Sequence, residues 1–513
     1  CCNSTEAMHT LSRSHAWPVL GPAQVRQLEP ALQTLSATPL MQSAGLACAR
    51  LALAVAPHAR RVWVAAGPGN NGGDGLEAAL LLHQWGKEVR VSLVSSDGPG
   101  PDDAQAALQR AQQAGVHIQS GVPTEWLAQL DAQDLCIDAL LGIGASRALS
   151  ADLQAGVKAM QQSAATVLAI DVPTGLNPQS GQWLGADSAG SGKLLAVQAD
   201  HTLSLIAVQA GLLMGHGRDA SGQIWLEDLG YRPSQHTVPA LAWLNAPYTA
   251  APKPHASHKG SHGDVAVIGG ESMATHGMGM SGAAVLAATA ALHAGAGRVI
   301  LSLLSGQASD SVPPDVMQRE FKRLELEQMH VVCGCGGGTS VQAVLLEVLQ
   351  RSSGLLLDAD GLNALAQDSA LQDALRQRAA HSATQATVIT PHPLEAARLL
   401  GCNTAQVQND RLKSAQTLAE RFQCCVVLKG SGTVIAAPGQ TPRINITGNG
   451  RLAIGGTGDV LAGLVGARMA QGQNTLEATF EAACQAVAQH GQVANDWPPG
   501  VALTASRLAQ RLV

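Results

Sequence analysis

Short β-type runs alternate with Ala-, Leu- and Gln-rich helical stretches along most of the chain, and this alternation most limits the folds open to it. In the first half, residues 61–66, 89–94, 135–138 and 166–171 read as strands, and 75–84 reads as a helix. In the second half, 264–268, 298–302, 354–358, 387–390 and 424–428 read as strands separated by helices. Strands joined through helices pair in parallel, because the crossover returns the chain to the same end of the sheet. Such sheets gather ligands at the C-terminal ends of their strands. A length of 513 residues is too great for one core and predicts two α/β domains. The expected division is 1–235, a linker at 236–255, and 256–513. The Pro-, His- and Ser-rich stretch 247–262 lacks any period and supports a linker there. Aromatic residues make up only 3% and Gly numbers 55, so the cores must be built from Ala, Leu and Val.

The formal net charge is -6 and Lys and Arg are scattered. This excludes a nucleic-acid footprint. A phosphorylated ligand would be held by backbone amides and a few placed cations. No run reaches about 18 uninterrupted apolar residues, so no membrane-spanning helix is expected. The ten Cys show no metal-binding spacing and read as small buried thiols of a reducing cytoplasm. The chain starts at Cys1-Cys2 without Met, which reads as a natural N-terminus lying upstream.

Directly after the first strand comes Gly67-Pro68-Gly69-Asn70-Asn71-Gly72-Gly73-Asp74-Gly75. Five Gly, two Asn and an Asp in nine residues exceed what a plain turn needs. Glycines let the backbone approach a ligand, and the amides and Asn side chains can hold phosphate or ribose. Asp138 and Asp171 each close a strand. Either one alone serves equally well as a helix cap, but acids at neighbouring strand ends converge on one crevice. Asn71, Asp138 and Thr174 would offer hard oxygen ligands to a cation. In order, these segments resemble the NAD(P)H-hydrate epimerase domain, and a Rossmann-like three-layer sandwich is expected for this half. The resemblance implies that Asn71, Asp138 and Thr174 bind K⁺. It implies that Asn70, Asn71, Gly72, Gly73 and Asp74 contact a hydrated nucleotide, with Gly142, Ile143, Gly144, Ala145, Ser146, Arg147 and Ala148 beside them. Asp171 would transfer a proton as the R and S forms interconvert at C6 of the nicotinamide ring. Two departures stand out. Thr174 replaces a usual Ser and keeps the oxygen. Glu77 stands where a small or apolar residue is usual, and facing a packing surface it would weaken this half.

In the second half, Gly455-Gly456-Thr457-Gly458-Asp459 precedes the apolar run 460–465. It reads as a glycine turn feeding a helix N-terminus, where amides and helix dipole favour an anion. A carboxylate there is repelled by phosphate, so its use is proton transfer; the plainer alternative is an N-cap. Other strand-end segments are Lys259-Gly-Ser-His-Gly263, Gly334-Cys335-Gly336-Gly337-Gly338, Leu357-Asp358-Ala-Asp360, Thr390-Pro-His392-Pro-Leu-Glu395 and Leu428-Lys429-Gly430-Ser431-Gly432-Thr433. As an ordered set over about 256–513 they resemble the ADP-dependent NAD(P)H-hydrate dehydratase, a ribokinase-like α/β enzyme. The resemblance implies that Lys429, Gly430, Ser431, Gly432, Thr433 and Gly458 bind ADP or AMP. It also implies that Ala283, Gly336, His392 and Asp459 contact the hydrated nucleotide. Asp459 would be the general base that lets the C6 hydroxyl take phosphate from ADP, and Mg²⁺ is expected with the nucleotide. Cys335 and Gly337 replace a usual Pro and Leu, which predicts a looser 334–338 loop.

The expectation is therefore a bifunctional cytoplasmic repair enzyme acting on NADH-hydrate, NADPH-hydrate and ADP, with self-association and no nucleic-acid or membrane partner. One rival is a small-molecule kinase, which would leave a stable phosphorylated product. Another is a nucleotide sensor without turnover, in which Asp459 only caps a helix. In a third, only one half is active.

Overall fold

Alternate residues of the central strands of the first half enter two different cores. Val62, Val64 and Ala66 join one cluster with Ala44, Cys48 and Leu76. Trp63 and Ala65 join another with Trp126, Val157 and Met160. The period of two along a strand thus sends side chains to both faces of a sheet covered by helices on each side, the expected three-layer arrangement. The computed structural model describes residues 8–11, 17–94, 100–185, 195–235, 238–250, 252–273, 277, 279–306, 308–309, 311–381 and 385–512; Cys1 and Cys2 lie outside them. The chain divides into two compact units, with the boundary between Ala242 and Trp243.

The strands of the first unit are β1 (His9–Thr10), β2 (Pro18–Leu20), β3 (Arg61–Ala66), β4 (Glu88–Leu93), β5 (His117–Ser120), β6 (Leu135–Ala139), β7 (Thr166–Ile170), β8 (His201–Leu205), β9 (Val208–Gln209) and β10 (Gln223–Glu227). One sheet runs β1-β10-β8-β7-β6-β3-β4-β5. It is parallel except for β1 on β10. The chain leaves β3 toward β4 and β5, then jumps back to place β6 on the other side of β3. A crevice therefore opens where β3 and β6 part company, beyond their C-terminal ends.

The second unit carries β11 (Ala242–Leu244), β12 (Asp264–Gly269), β13 (Arg298–Leu303), β14 (Met317–Gln318), β15 (His330–Cys333), β16 (Gly354–Leu357), β17 (Thr387–Ile389), β18 (Cys425–Leu428), β19 (Thr433–Ala436) and β20 (Arg443–Asn445). They lie in the order β14-β13-β12-β15-β16-β17-β18-β19-β20-β11. Strands β12 to β18 pair in parallel, and β19 turns back antiparallel on β18. The switch point here lies between β12 and β15. Ala-rich packing compensates for the scarcity of aromatics. The helix Ser281–His293 meets the helix Thr457–Gln471 so closely that a Cβ on Gly463 would stand 2.0 Å from the Ala287 carbonyl oxygen.

Three sequence expectations need correction. The stretch expected as a linker is not featureless, since Trp243 and Leu244 pair with β20. Asn245 is buried and donates to Asn445 Oδ1 (3.1 Å) and the Cys484 carbonyl (2.9 Å). Arg468 donates to the Tyr248 hydroxyl at 2.6 Å. These partners lie some two hundred residues away, so local composition cannot announce them. Secondly, the helix expected at 75–84 begins five residues earlier, as Asn70–Gln84, and absorbs most of the glycine-rich loop into its first turns. Its amides are thereby committed to helix geometry, which Gly disfavours by only about 1 kcal/mol each. Thirdly, the 334–338 loop is tied down. Gly334 N donates to the Ile268 carbonyl (3.0 Å), Gly270 N to that of Cys335 (3.1 Å) and Glu271 N to that of Gly336 (2.7 Å). Gly338 N donates to Asp360 Oδ2 at 2.8 Å.

Glu77 does face a packing surface. It is 4% exposed, and the helix Leu40–Val55 passes so near that a Cβ on Gly45 would meet its Cβ at 2.2 Å. The feared weakening is answered by Arg110, whose Nε donates to Glu77 Oε1 at 2.8 Å, with the neighbouring Nη2 on the same oxygen. Arg110→Met is expected to destabilise the first unit by about 2 kcal/mol, because a buried carboxylate loses its partner while Arg110 itself is partly exposed. The double change Glu77→Leu with Arg110→Met should recover most of that loss. Urea unfolding of the two variants checks both statements.

Candidate active sites

In the first unit a cavity of about 710 Å³ opens at the β3–β6 switch point, and Asn70, Asn71, Asp74, Gly142, Ile143, Gly144, Ala145 and Asp171 line it. Asn71 and Asp74 arrive on the first turns of the helix that follows β3, and Asp171 immediately follows β7. Asp171 is 8% exposed and has φ +67°, a left-handed backbone that Asp tolerates better than most residues. Its Oδ2 accepts the Ile143 amide at 2.7 Å. A Cβ on Gly142 would stand 2.7 Å from that oxygen and 3.2 Å from Asn71 Cγ, so only Gly fits between the two side chains. Burial pushes the Asp171 pKa up to about 7; the Ile143 amide opposes this and the negative charge of Glu29 adds to it. Asp74 is pushed well up by burial and by Asp171, Glu29 and Glu77. Two largely buried carboxyl groups at one crevice, each displaced upward, are suited to passing a proton.

Behind this wall Asp138 is fully buried. It accepts Thr174 N (2.8 Å), Thr174 Oγ1 (2.7 Å) and Leu140 N (3.2 Å). Burial nevertheless raises its pKa to about 6. Asn71 is the outlier: both its Oδ1 and Nδ2 are buried without a hydrogen-bond partner. An orphaned amide oxygen close to Asp171 and Gly142 is chemically fitted to a hard cation. Ser146, Arg147 and Ala148 are exposed and do not line the cavity; Gly72 and Gly73 are buried within the helix. The sequence reading missed Arg26, Glu29 and Gln33, which line the opposite wall from the helix Pro22–Leu35. Their spacing looks like the solvated face of an amphipathic helix, and no local signal distinguishes the two.

In the second unit the strand ends converge on Asp459. Gly456, at φ +90°, turns the chain into the helix Thr457–Gln471 and Asp459 sits in its first turn. Cys335, Asp358 and Asp459 each bring a ligand atom to within 4.8 Å of the others. Asp358, 1% exposed, accepts Lys429 Nζ at 2.6 Å. A Cβ on Gly458 would stand 3.5 Å from that same Nζ. Burial raises the Asp459 pKa to about 6, with Asp358 reinforcing the shift and Lys429 opposing it. Burial alone would lower the pKa of Lys429, but Asp358, Glu395 and Cys335 leave it raised. This cluster thus pairs a firmly charged ammonium with a carboxylate poised to gain or lose a proton near neutrality.

Gly336 and Ala283 are in contact range of each other. A Cβ on Gly336, at φ +58°, would meet the Ala283 Cβ at 2.9 Å. His392 has a structural duty alongside any other. Its Nδ1 caps the helix Pro393–Leu400 by accepting from Leu394 N (3.2 Å) and Glu395 N (3.4 Å). Its Nε2 lies 3.2 Å from Glu395 Oε1. Lys429 to Thr433 form the turn between β18 and β19, with Gly430 at φ +135° and Gly432 at φ +69°. Thr433 Oγ1 closes it by donating to the Gly430 carbonyl at 3.1 Å. Beneath this turn lies Arg411, which no sequence motif flagged. Among the described residues, no helix is long and apolar enough to cross a membrane.

Two family models match the chain. One, described as the YjeF-related protein N-terminus, matches residues 37–211, and the other, NAD(P)H-hydrate dehydratase, matches residues 265–512. The chain is 34% identical over 470 residues to the bifunctional NAD(P)H-hydrate repair enzyme Nnr of Escherichia coli (strain K12), covering 89% of this chain and 84% of that protein. It is 33% identical to the enzyme of the same name from Coxiella burnetii (strain RSA 493 / Nine Mile phase I), covering 87% of this chain and 89% of that one. Among solved structures, it is similar to the ADP/ATP-dependent NAD(P)H-hydrate dehydratase from Bacillus subtilis co-crystallized with ATP/Mg²⁺. The identity is 27%, 52% of this chain and 92% of that chain are covered, and the TM-score is 0.41.

Proposed function

The chain belongs to the bifunctional NAD(P)H-hydrate repair enzymes, and from that premise we propose that its first unit interconverts the R and S forms of hydrated NADH or NADPH while its second dehydrates the S form at the expense of ADP. The observation that carries the second activity is the placing of Asp459 at a helix N-terminus, beside Asp358 with Lys429 bonded to it. Hydroxide leaves C6 poorly, whereas phosphate leaves well. Asp459 takes the proton of the C6 hydroxyl as its oxygen attacks the terminal phosphorus of ADP, and AMP departs. The amides of Thr457 and Gly458 and the Lys429 ammonium face the charge that builds on the transferred group. Phosphate then leaves C6, C5 gives up a proton, and the ring double bond is restored. The products are NAD(P)H, AMP and phosphate.

In the first unit, Asp171 handles the proton at the C6 centre, and Asn70 and Asp74 with Gly142–Ala145 seat the nucleotide. K⁺ would be held by Asn71 Oδ1, Asp138 and Thr174, supplying a fixed positive charge at the crevice floor. Replacing K⁺ by choline should lower both the epimerase rate and the thermal midpoint of this unit. In Asn71→Leu the midpoint should no longer respond to K⁺; a response that persists would move the ion elsewhere. Mg²⁺ is placed with the nucleotide phosphates, since Asp358 beside Asp459 already accepts the Lys429 ammonium. Seven of the eight described cysteines are buried and all eight are free, which suits a reducing, cytoplasmic setting. Self-association remains part of the proposal and is tested by sedimentation.

The central test is the near-ultraviolet absorbance of the dihydronicotinamide ring during incubation with S-NADH-hydrate and ADP. An ADP-dependent rise is expected, and adding the R form should extend it. No rise with either ADP or ATP would leave the kinase and sensor readings standing instead.

A further inference from the structure

A guanidinium is buried directly behind the Lys429–Thr433 turn. Arg411 is 1% exposed at the start of the helix Arg411–Phe422. Its Nη2 donates to the carbonyl oxygens of Leu428 (3.1 Å), Lys429 (3.2 Å) and Gly432 (3.3 Å). Its Nη1 donates to Gln408 Oε1 at 2.7 Å. A Cβ on Gly430 would stand 3.1 Å from both terminal nitrogens, so the cation touches the floor of the turn. Its Nε is buried with no partner. Among the described residues no carboxylate forms an ion pair with it. Burial lowers its pKa to about 10, which still leaves it charged at neutral pH.

A buried cation answered only by carbonyl dipoles is costly, and such groups are retained when something else answers the charge. Two consequences follow for the turn. The Lys429 amide is taken by the Pro391 carbonyl at 2.9 Å, but in the other two peptides, with the carbonyls of Lys429 and Gly432 drawn inward to the guanidinium, trans geometry turns the amides of Gly430 and Thr433 away from it. The uncompensated positive charge also raises the potential above Gly430, where an anion would sit. We infer that Arg411 is a positioning residue for the nucleoside diphosphate: it holds the Lys429–Thr433 turn in its anion-binding form and supplies, from beneath, a counter-charge to the diphosphate. This rests on the reading that ADP is seated on that turn. Arg411 touches neither substrate and takes no part in proton transfer.

The test is steady-state kinetics of the full-length protein, with ADP and S-NADH-hydrate varied separately. Arg411→Met should raise the KM for ADP about tenfold or more, the loss of hydrogen bonds to a charged group, while kcat and the KM for the hydrate stay within about twofold. Arg411→Lys, which keeps the charge without the fork, should fall between the two. If Arg411→Met does not fold, Gln408→Ala decides the matter. It frees one arm of the guanidinium and should raise the KM for ADP about threefold. Gly432→Ala, strained at positive φ, separates the inference from its premise. If Gly432→Ala raises the KM for ADP and the Arg411 and Gln408 variants do not, the role of Arg411 is overturned and the seat stands. If none of them moves it, the nucleotide sits elsewhere and both fall. A parallel rise in both KM values would make Arg411 a structural residue only and overturn the inference as well.

Discussion

Asp459→Asn is expected to lower dehydratase kcat by about a hundredfold to ten-thousandfold, the range that a positioned general base contributes. Asn preserves the shape of Asp459 in the first helical turn, and the neighbouring Lys429–Asp358 bond does not depend on it. Removing a negative charge beside bound phosphate should leave ADP affinity unchanged or improved. A fall in kcat without a rise in the KM for ADP therefore identifies proton transfer, and equal damage to both would point to a collapsed site. The pH profile gives a second check. With a pKa of about 6, the carboxylate is ionised and able to accept a proton above that value. Wild-type activity should thus fall as pH drops through about 6. A profile flat down to pH 5 would remove Asp459 from the role of base.

Asp171→Asn should silence the epimerase by about a hundredfold or more while leaving turnover of pure S-hydrate intact. Asn is the replacement best suited to the φ of +67°, since its short polar side chain tolerates the left-handed region, and its amide oxygen can still accept from Ile143 N. Folding should therefore survive, and the loss can be assigned to the carboxylate. The readout is a mixture of R and S hydrates with ADP. The S fraction should convert at the normal rate and the R fraction should follow only at the uncatalysed rate. With the Asp171 pKa at about 7, the wild-type epimerase should gain activity as pH rises through 7 when this group acts as base. Complete conversion of the R fraction by the variant would transfer the role to another group, Asp74 being the nearest in kind.

The strand ends were legible because each is a local event. Asp138, Asp171 and Lys429 each stand at or just beyond the end of an apolar run, and parallel pairing brings such positions to one side of a sheet. The glycine turn 455–458 announced itself similarly ahead of the apolar run 460–465, and within it Gly456 takes φ +90°. The helix start at Asn70 was not legible, because two Asn and two Gly argue for a loop and only packing against the helices Leu40–Val55 and Asp102–Gln113 overrules them. Glu77 gave half its message: the sequence marked it as out of place, but Arg110 lies thirty-three residues away in chain.

What the sequence determined alone was therefore the two α/β halves, the acids at strand ends and the glycine turns, since strand period, turn chemistry and helix-end electrostatics all act over a few residues. What the tertiary structure alone decided was which distant side chains close the sites. Arg26 and Glu29 resemble a solvated helix face until the cavity is seen, Cys335 resembles a plain buried thiol until it meets Asp459, and Arg411 resembles a surface cation until its carbonyl partners appear. A charged group's role depends on the dielectric and the partners around it. Both are set by chain segments that meet only on folding.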